Sequence, residues 1–577
     1  MDHQTLMLGN EAIARGAWEA GVRVVSSYPG TPSTEITEAV SGYGEVNCQW
    51  ASNEKVAAEV AFGAALAGAR AMTCMKHVGV NVAADPIFTA AYTGVNGGLA
   101  IVCADDPAMH SSQNEQDSRY YARATHMPML EPADSQECKD FTKLAFAMSE
   151  EYDTPIFVRL TTRIAHARSL VTTEERTDVP VKPYVKDAMK YVMMPGMARK
   201  RHLVVEEREN ALAEAANTLS INRIEMRSAD IGIVTSGACY QYVRDALPDA
   251  SVLKLGMVYP LPMKLIAEFA GKVKQLIVVE ELEGLIEKDI AAAGIAVEGK
   301  KYTGIQGELS AERIQSAILG TATEAPKPTE NWPARPPVLC PGCPHRGMFY
   351  VFNKLKLRVM GDIGCYTLAA LPPLSAIDAC LCMGASIGMA GGAERAQGHE
   401  FSQKTVAVLG DSTFIHSGIT SLIDAVYNQS AVTVVILDNR ITGMTGHQQN
   451  PASGKDIRGN TAPALNLEKL VESCGVQHIA VIDPFDLKET ERVIKEETAR
   501  DAVSVVIARR PCALLDKTPH AACVIDGCKN CSMGMKLSCP AIERGGETVL
   551  INPALCVGCG MCVQVCPFQA IHLGEDA

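Results

Sequence analysis

The run CVGCGMCVQVCP near the end of the chain sets Cys556, Cys559, Cys562 and Cys566 at C-x2-C-x2-C-x3-C-P spacing. Soft thiolates suit iron and sulfur, and this spacing lets one loop wrap three corners of a [4Fe–4S] cubane while the fourth cysteine serves a neighbouring cluster. That arrangement demands a second run, and one lies just upstream: CVIDGCKNCSMGMKLSCP, with Cys523, Cys528, Cys531 and Cys539. Gly534 stands where regular spacing would put a third cysteine. With a longer first gap, Cys523, Cys528 and Cys531 could supply three ligands, Cys566 closing that cluster and Cys539 its neighbour. Zinc is the alternative for either run. Such clusters pass single electrons, so the rest of the chain is expected to hold their source.

A second constellation is built on oxygen. GDSTF (410–414) ends an apolar run, and Asn439 ends the next one, in VVILDNRITG. The pair looks like the Gly-Asp-Gly…Asn signature of thiamine diphosphate enzymes. A diphosphate brings several negative charges, which Mg²⁺ neutralises through hard oxygen ligands. The Asp411 carboxylate, the Asn439 side-chain oxygen and a backbone carbonyl near Ile441 would supply three of these. The phosphates would rest on glycine amides and helix N-termini. Candidates are CMGASIG (382–388), with Cys382, Met383 and Gly384, and the Gly-Asp-Ser turn with Ser412. A strand-end turn with no function is the bland alternative. Against it, both residues fall at the carboxyl ends of adjacent expected strands, where open α/β sheets bind ligands.

The elements that must position these groups read as α/β throughout. In residues 1–175, apolar runs at 22–29, 69–77, 98–106 and 154–161 alternate with Ala-rich stretches such as 54–68, which predicts a parallel sheet covered on both faces. Residues 176–228 read as a charged connecting segment. A smaller α/β domain follows at 229–320, with strands expected at 229–237, 251–258 and 274–281. A Pro-rich linker (321–337) leads to a third α/β domain at 338–515, with strands at 405–411, 432–439 and 503–510, and a cysteine-rich module fills 520–577. The 577 residues carry a net charge of −13, which argues against nucleic acid, whose phosphates need clustered cations. The apolar runs are strand-sized, so no membrane span is expected. MDHQTLMLGNEAIARG has no basic start or long apolar stretch, and the 20 cysteines come in C-x-x-C clusters, so a reducing cytoplasm is expected.

Stretches along most of the chain resemble the thiamine diphosphate-dependent 2-oxoacid:ferredoxin oxidoreductase family, in particular the alpha subunits of its indolepyruvate type. They are SYPGTPSTE (27–35), NEKVAAEVAFGAALAGARA (53–71), MKHVGVNVAADP (75–86), DDPAMHSSQNEQDSRYYAR (105–123), CPGCPHR (340–346), GDIGCYTL (361–368), CMGAS (382–386), GDSTFIHSG (410–418) and TGMTGHQ (442–448). The resemblance implies two thiamine-binding-type domains, a transketolase C-terminal-like domain at 229–320 and a ferredoxin-like tail. It implies thiamine diphosphate, Mg²⁺, coenzyme A, a separate smaller beta subunit and hence a hetero-oligomer. The implied reaction is oxidative decarboxylation of an aryl 2-oxoacid to aryl-acetyl-CoA and CO2, with electrons passed to ferredoxin.

The same resemblance assigns residues. Glu54 would be the carboxyl group that drives the aminopyrimidine tautomer, although a glutamate opening a helix is also favoured by the helix dipole. Thr31 would bond substrate or cofactor, unless it or Ser33 simply caps the next helix. Arg119 or Arg123 could grip a carboxylate. His77, His345, His416 and His447 fall in the quoted stretches, with structural roles the simpler reading for each. Cys340, Cys343, Cys365 and Cys512 could hold a third cluster beside the thiamine, the alternative being buried structural thiols. Cys74, Cys103 and Cys138 read as core. A basic patch around Arg199–His202 is a candidate for docking an acidic ferredoxin. Three further readings stand beside this one. A related enzyme of different substrate range shares every feature. A redox-independent decarboxylase would have no use for the Cys556 run. A non-catalytic electron-transfer subunit leaves Glu54, Asp411 and Asn439 unexplained.

Overall fold

The structure, a computed structural model, describes residues 3–321, 336–516, 518, 520–546 and 548–574. Most of the expected linker, 322–335, lies outside the described residues. The chain divides into two compact units, 1–330 and 331–577.

The first unit is built on a seven-stranded sheet, ordered Met257–Tyr259, Met129–Leu130, Ile156–Thr161, Leu99–Asp105, Ala71–Lys76, Val24–Ser27, Asn47–Trp50. Its pairings are parallel apart from Met257–Tyr259 at one edge. Every residue of Ala71–Lys76, Leu99–Asp105 and Ile156–Thr161 is buried. Such strands read as unbroken apolar runs because helices cover both faces. Helix Glu54–Leu66 supplies part of that cover through Ala57, Ala58, Ala61 and Ala65, and Asn53 caps it by accepting the Val56 N–H at 2.9 Å.

The strand expected over 251–258 divides in two. Ala250–Leu255 lies in a four-stranded sheet, ordered Gln275–Val279, Ser228–Ser236, Ala250–Leu255, Arg223–Glu225, while Met257–Tyr259 crosses to the large sheet. Gly256 makes the crossing: a Cβ there would lie 2.7 Å from Ile221 Cβ and 2.9 Å from the Phe141 ring, closer than any side chain tolerates. The connecting segment is more ordered than its charge suggests. It contains the helix Pro195–Ala216, whose buried Arg208 donates to the carbonyls of Asp153 at 2.9 Å and Ala91 at 2.7 Å.

The second unit has a six-stranded, all-parallel sheet, ordered Ala379–Cys380, Arg358–Gly361, Thr405–Gly410, Thr433–Asp438, Ser504–Arg509, His478–Ile482. Alternate residues of Thr405–Gly410 feed opposite cores. Val406 and Val408 pack with Phe349 and Phe352, whereas Ala407 and Leu409 pack with Phe414 and Leu422. The tail of this unit pairs Val524–Ile525 with Ile571–His572 and Ile542–Gly545 with Thr548–Ile551, around an apolar centre that includes Leu537, Val549, Met561 and Val565. Among the described residues no helix is long and apolar enough to cross a membrane.

Candidate functional site

In the second unit, strands Thr405–Gly410 and Thr433–Asp438 are parallel neighbours, with Gly410 opposite Leu437. Asp411 and Asn439 therefore leave the same sheet edge side by side, and both are buried. The Asn439 side-chain amide lies 3.2 Å from Asp411 Oδ1 and 2.8 Å from the Ile441 carbonyl oxygen. Either end of an amide can face such a pair. Without a cation the nitrogen donates to both; with a cation among them the oxygen replaces it. Magnesium bonds of about 2.1 Å set adjacent octahedral oxygens roughly 3 Å apart, so the three groups fit that ion. Burial, and after it the negative Asp438, push the Asp411 carboxyl up to about 7. A dry carboxylate with an anionic neighbour is costly to ionise unless a cation joins it.

Ser412 N–H donates to Asp411 Oδ1 at 2.8 Å, and the Thr442 hydroxyl donates to Ser412 Oγ at 2.9 Å. Asn450 Nδ2 stands 3.5 Å from Asp411 Oδ2. The turn before helix Ala385–Gln397 holds Cys382 exposed, Met383 half-buried and Gly384 buried at φ +85°. Its amides already have a partner. Gly384 N–H donates to Asp362 Oδ1 at 2.9 Å and Ser386 N–H to Asp362 Oδ2 at 3.1 Å. Sequence reasoning misses Asp362, although GDIG repeats the Gly-Asp of GDSTF at the end of the preceding sheet strand.

Four cysteines gather beside this edge. The Cys365 thiol is raised to about 11 by burial and by neighbouring Cys512 and Cys340, and the Cys343 thiol to about 12, chiefly by burial. The set abuts the Asn439 turn: Cys512 N–H donates to the Asn439 carbonyl at 3.0 Å, and a Cβ on Gly443 would lie 3.5 Å from Cys365 Sγ. Buried His345 meets Tyr366 edge-on at 5.7 Å and is lowered to about 4 by burial, while His416 Nδ1 lies 2.6 Å from Ser417 Oγ.

The tail forms two cysteine-lined cavities of similar size. Cys539, Cys556, Cys559, Cys562 and Cys523 line the first, and Cys528, Cys531 and Cys566 the second. Cys523 thus departs from the expectation that groups it with Cys528 and Cys531. It precedes strand Val524–Ile525, whose antiparallel pairing with Ile571–His572 delivers it to the other cavity, where its N–H donates to Cys556 Sγ at 3.3 Å. Pro341, Gly342 and Arg346 also line the first cavity. Arg346 is wholly buried. It donates to the carbonyls of Leu537 at 2.9 Å and Cys340 at 2.8 Å, and also to those of Ser538 and Leu339, tying the CPGC loop to the tail. Among the described residues no three His, Cys, Asp or Glu side chains close tightly enough to hold one bare ion.

In the first unit, Glu54 is buried at the start of its helix. A Cβ on Gly79 would fall 2.8 Å from Glu54 Oε1, so the missing side chain there is what gives the carboxylate room. Lys76, also buried, lies near Glu54 and Asp106 and donates to the Ser111 carbonyl at 2.9 Å. Half-buried Thr31 accepts the Ser111 hydroxyl on its carbonyl at 3.4 Å. Ser33 makes no side-chain cap bond and donates instead to the Gly30 carbonyl at 2.8 Å.

The expected carboxylate grip is not available as it stands. Arg119 is 4% exposed and engages Asp117, Glu280 at 2.6 Å and the carbonyls of Glu281 and Glu283; Arg123 pairs with Asp289. A guanidinium taken out of water requires such carboxylates. His77 donates its Nε2–H to the Asn114 carbonyl, 3.1 Å away. Cys74, Cys103 and Cys138 are core thiols raised by burial. The Arg199–His202 stretch loses part of its charge inward, Arg201 donating to the Tyr92 carbonyl at 2.6 Å and to Asp153 at 3.2 Å.

A parallel sheet with Asp and Asn at adjacent carboxyl ends, joined to a cysteine-bearing two-cavity tail, defines a thiamine diphosphate enzyme that carries iron–sulfur chemistry. Comparison with known proteins agrees. Residues 15–220 match the thiamine diphosphate-binding domain of pyruvate flavodoxin/ferredoxin oxidoreductases, 362–508 the C-terminal TPP binding domain of thiamine pyrophosphate enzymes, and 549–572 a 4Fe-4S binding domain. The chain belongs to the thiamine diphosphate-dependent 2-oxoacid:ferredoxin oxidoreductase family. It is 40% identical to the indolepyruvate oxidoreductase subunit IorA of Archaeoglobus fulgidus, over 98% of this chain and 97% of that one. With the corresponding subunit of Thermococcus kodakarensis it shares 39% identity over 99% and 97%. A solved 2-oxoglutarate:ferredoxin oxidoreductase from Magnetococcus marinus overlaps 55% of this chain and 65% of its own, at 17% identity and a TM-score of 0.47. The 4Fe-4S match overturns the zinc alternative for the Cys556 run.

Proposed function

We propose that the chain is the catalytic subunit of an indolepyruvate:ferredoxin oxidoreductase that converts aryl 2-oxoacids and coenzyme A to aryl-acetyl-CoA and CO2, reducing ferredoxin. The observation that carries this reading is the convergence of Asp411, Asn439 and the Ile441 carbonyl at one sheet edge, with Cys365 and Cys512 against the same turn. Asp411, Asn439 and Ile441 hold Mg²⁺, and Ser412 and the Cys382–Gly384 turn face the diphosphate. When bound, thiamine diphosphate supplies the electron sink that lets a 2-oxoacid lose CO2. Glu54 holds the proton that sets the aminopyrimidine tautomer, and Thr31 orients substrate.

Cys340, Cys343, Cys365 and Cys512 hold a cluster beside the thiamine. Cys539, Cys556, Cys559 and Cys562 would hold a tail cluster that supplies one-electron transfer, and Pro341, Gly342 and Arg346, which line that cavity, connect it to the CPGC loop. Cys528, Cys531 and Cys566 would hold a second tail cluster, which would supply the one-electron carrier next to ferredoxin. The relatives named above are subunits, so a smaller beta subunit and a hetero-oligomer belong to the proposal, as do the residue divisions 1–175, 176–228, 229–320, 338–515 and 520–577. The test is anaerobic co-purification with the beta subunit, then coenzyme A-dependent viologen reduction with a panel of 2-oxoacids. Preference for indolepyruvate and phenylpyruvate is expected; reduction with pyruvate or 2-oxoglutarate alone would overturn the aryl assignment.

A further inference from the structure

The two cavities of the tail are alike in size but unlike in sulfur. The first has the four thiols Cys539, Cys556, Cys559 and Cys562, with Cys523 as a fifth. The second has three, Cys528, Cys531 and Cys566. Where a fourth would stand, three residues after Cys531 and directly after Ser532 and Met533, is Gly534, which lines the cavity and opens the short turn Gly534–Leu537. No histidine, aspartate or glutamate lines this cavity among the described residues, and the polar side chains that do are Lys529 and Ser532. A lysine ammonium is a donor without a lone pair to offer. The lone alternative among the thiols, Cys523, sits in the other cavity with its amide on Cys556 Sγ at 3.3 Å.

We propose that the second cavity is a three-thiolate cluster site, held by Cys528, Cys531 and Cys566, whose fourth iron corner has no cysteine and is exchangeable. The inference rests on the proposed two-cluster tail. A corner iron without its thiolate is held by water or hydroxyl alone, a poor match for a soft iron–sulfur core. Mild oxidation then removes it. The [4Fe–4S]²⁺ core releases Fe²⁺ and one electron and becomes [3Fe–4S]⁺, while ferricyanide takes that electron and becomes ferrocyanide. Added Fe²⁺ and one electron from dithionite reverse the step with all sulfide retained. The last carrier before ferredoxin would thereby depend on available ferrous iron.

The glycine also makes the test direct. A Cβ on Gly534 would have nothing nearer than Ile542 Cδ1 and Ile571 Cδ1, each at 3.7 Å, and its φ is not in the left-handed region. Gly534→Cys therefore has room for the absent ligand. The full-length chain, purified anaerobically with its clusters, is treated with ferricyanide and followed by electron paramagnetic resonance and by iron and sulfide analysis. The wild type is expected to give about one three-iron signal and lose about one iron per chain with no sulfide, and to recover on adding Fe²⁺ and dithionite. Gly534→Cys should keep its iron and give no such signal, whereas Cys523→Ser should behave as wild type. Wild type that loses no iron, or loss of the signal in Cys523→Ser, overturns the proposal, even if Gly534→Cys does not fold. Spin quantitation of the dithionite-reduced chain separates the two readings. A count unchanged by Cys528→Ser means no cluster sits there and sinks the two-cluster tail; a count that falls, with no iron taken by ferricyanide, sinks the three-thiolate site alone.

Discussion

The smallest change that tests the proposed catalytic acid leaves Glu54 itself untouched. In Gly79→Ala the new methyl would lie 2.7 Å from Glu54 Cγ, 2.8 Å from Oε1 and 3.0 Å from Met75 Cβ. Carbon atoms in good contact stand about 3.5–4.0 Å apart, so the overlap with the glutamate is roughly 1 Å. Met75 is fully buried in its strand, which leaves the glutamate to move. Overpacking of this kind costs about 1–3 kcal/mol of stability. Misplacing a catalytic group by about 1 Å costs roughly 100-fold in rate, within the ~10²–10⁴-fold worth of general acid–base assistance. Gly79→Ala should thus lower kcat for viologen reduction about 100-fold while iron content stays normal. Gly63→Ala is the matched control, since it lies in the same helix as Glu54 with no neighbour within 4 Å of a Cβ. It should keep full activity and gain about 1 kcal/mol in helix stability. A Gly79→Ala enzyme that is destabilised yet turns over normally would refute the placement of Glu54 in the reaction.

Other expectations follow the same logic. Glu54→Gln should abolish turnover and leave cluster content intact; normal turnover removes Glu54 from the chemistry. Asp411 is raised to about 7 against an ordinary value of about 3.9, so the folded chain keeps a proton between those values that the unfolded chain has lost. Relative to Asp411→Asn, the cofactor-free chain should therefore lose stability as pH rises across that window; raised Glu280, Glu281 and Asp362 push the same way in both chains, and His345, lowered to about 4, pushes the other way in both. Because Mg²⁺ must expel the Asp411 proton, its effect on the thermal midpoint should grow from about pH 5.5 to 7 and then level off; an effect equal at both ends contradicts the site. Arg346→Met takes a donor from the carbonyls of Leu339, Leu537 and Ser538, at about 1–3 kcal/mol for each buried group left unsatisfied, while the Cys340 carbonyl keeps the Cys343 N–H at 3.1 Å. Ferredoxin reduction should fall further than 2-oxoacid decarboxylation measured as CO2, and parallel losses would deny the arginine a place between the clusters. Gly256→Ala, with a Cβ 2.7 Å from Ile221, should cost about 1–3 kcal/mol in thermal unfolding without touching the cofactor sites.

Local decisions are the ones legible in the sequence. Apolar runs mark the strands Thr405–Gly410 and Thr433–Asp438, and a strand's end fixes where the next residue points, so Asp411 and Asn439 can be placed from the sequence alone. Cysteines three residues apart share a loop by necessity. Arg119 shows the opposite case. Its polar loop suggests a substrate contact, yet its partner Glu280 lies 161 residues away and comes from another sheet. Cys523 fails in the same manner, because its cavity is chosen by a strand pairing with Ile571–His572 near the far end of the tail. The division at Gly256 depends on Ile221 and Phe141, which no window around the glycine contains.

Asp362 is instructive because its signal is local and still easy to pass over. The Gly-Asp of GDIG resembles that of GDSTF, both at strand ends of one sheet, but the two carboxylates do opposite work. Asp411 stands beside the Asn439 amide and the Ile441 carbonyl and would hold the proposed cation with them, whereas Asp362 spends both its oxygens on the amides of Gly384 and Ser386 at the start of a helix. A carboxylate so placed competes with any phosphate for the same amides and the same end of the helix dipole. If the Cys382–Gly384 turn is to hold diphosphate, the contact must come from the turn's remaining amides, with Asp362 fixing its shape. Asp362→Asn keeps one acceptor and removes the charge, so it should loosen the turn yet leave its helix end more positive. Thiamine diphosphate affinity, measured by calorimetry on the cofactor-free chain with Mg²⁺, should then change by less than tenfold. Asp411→Asn should abolish binding, and an Asp362 variant as defective as that one would make Asp362, not the Asp411 edge, the anchor of the cofactor.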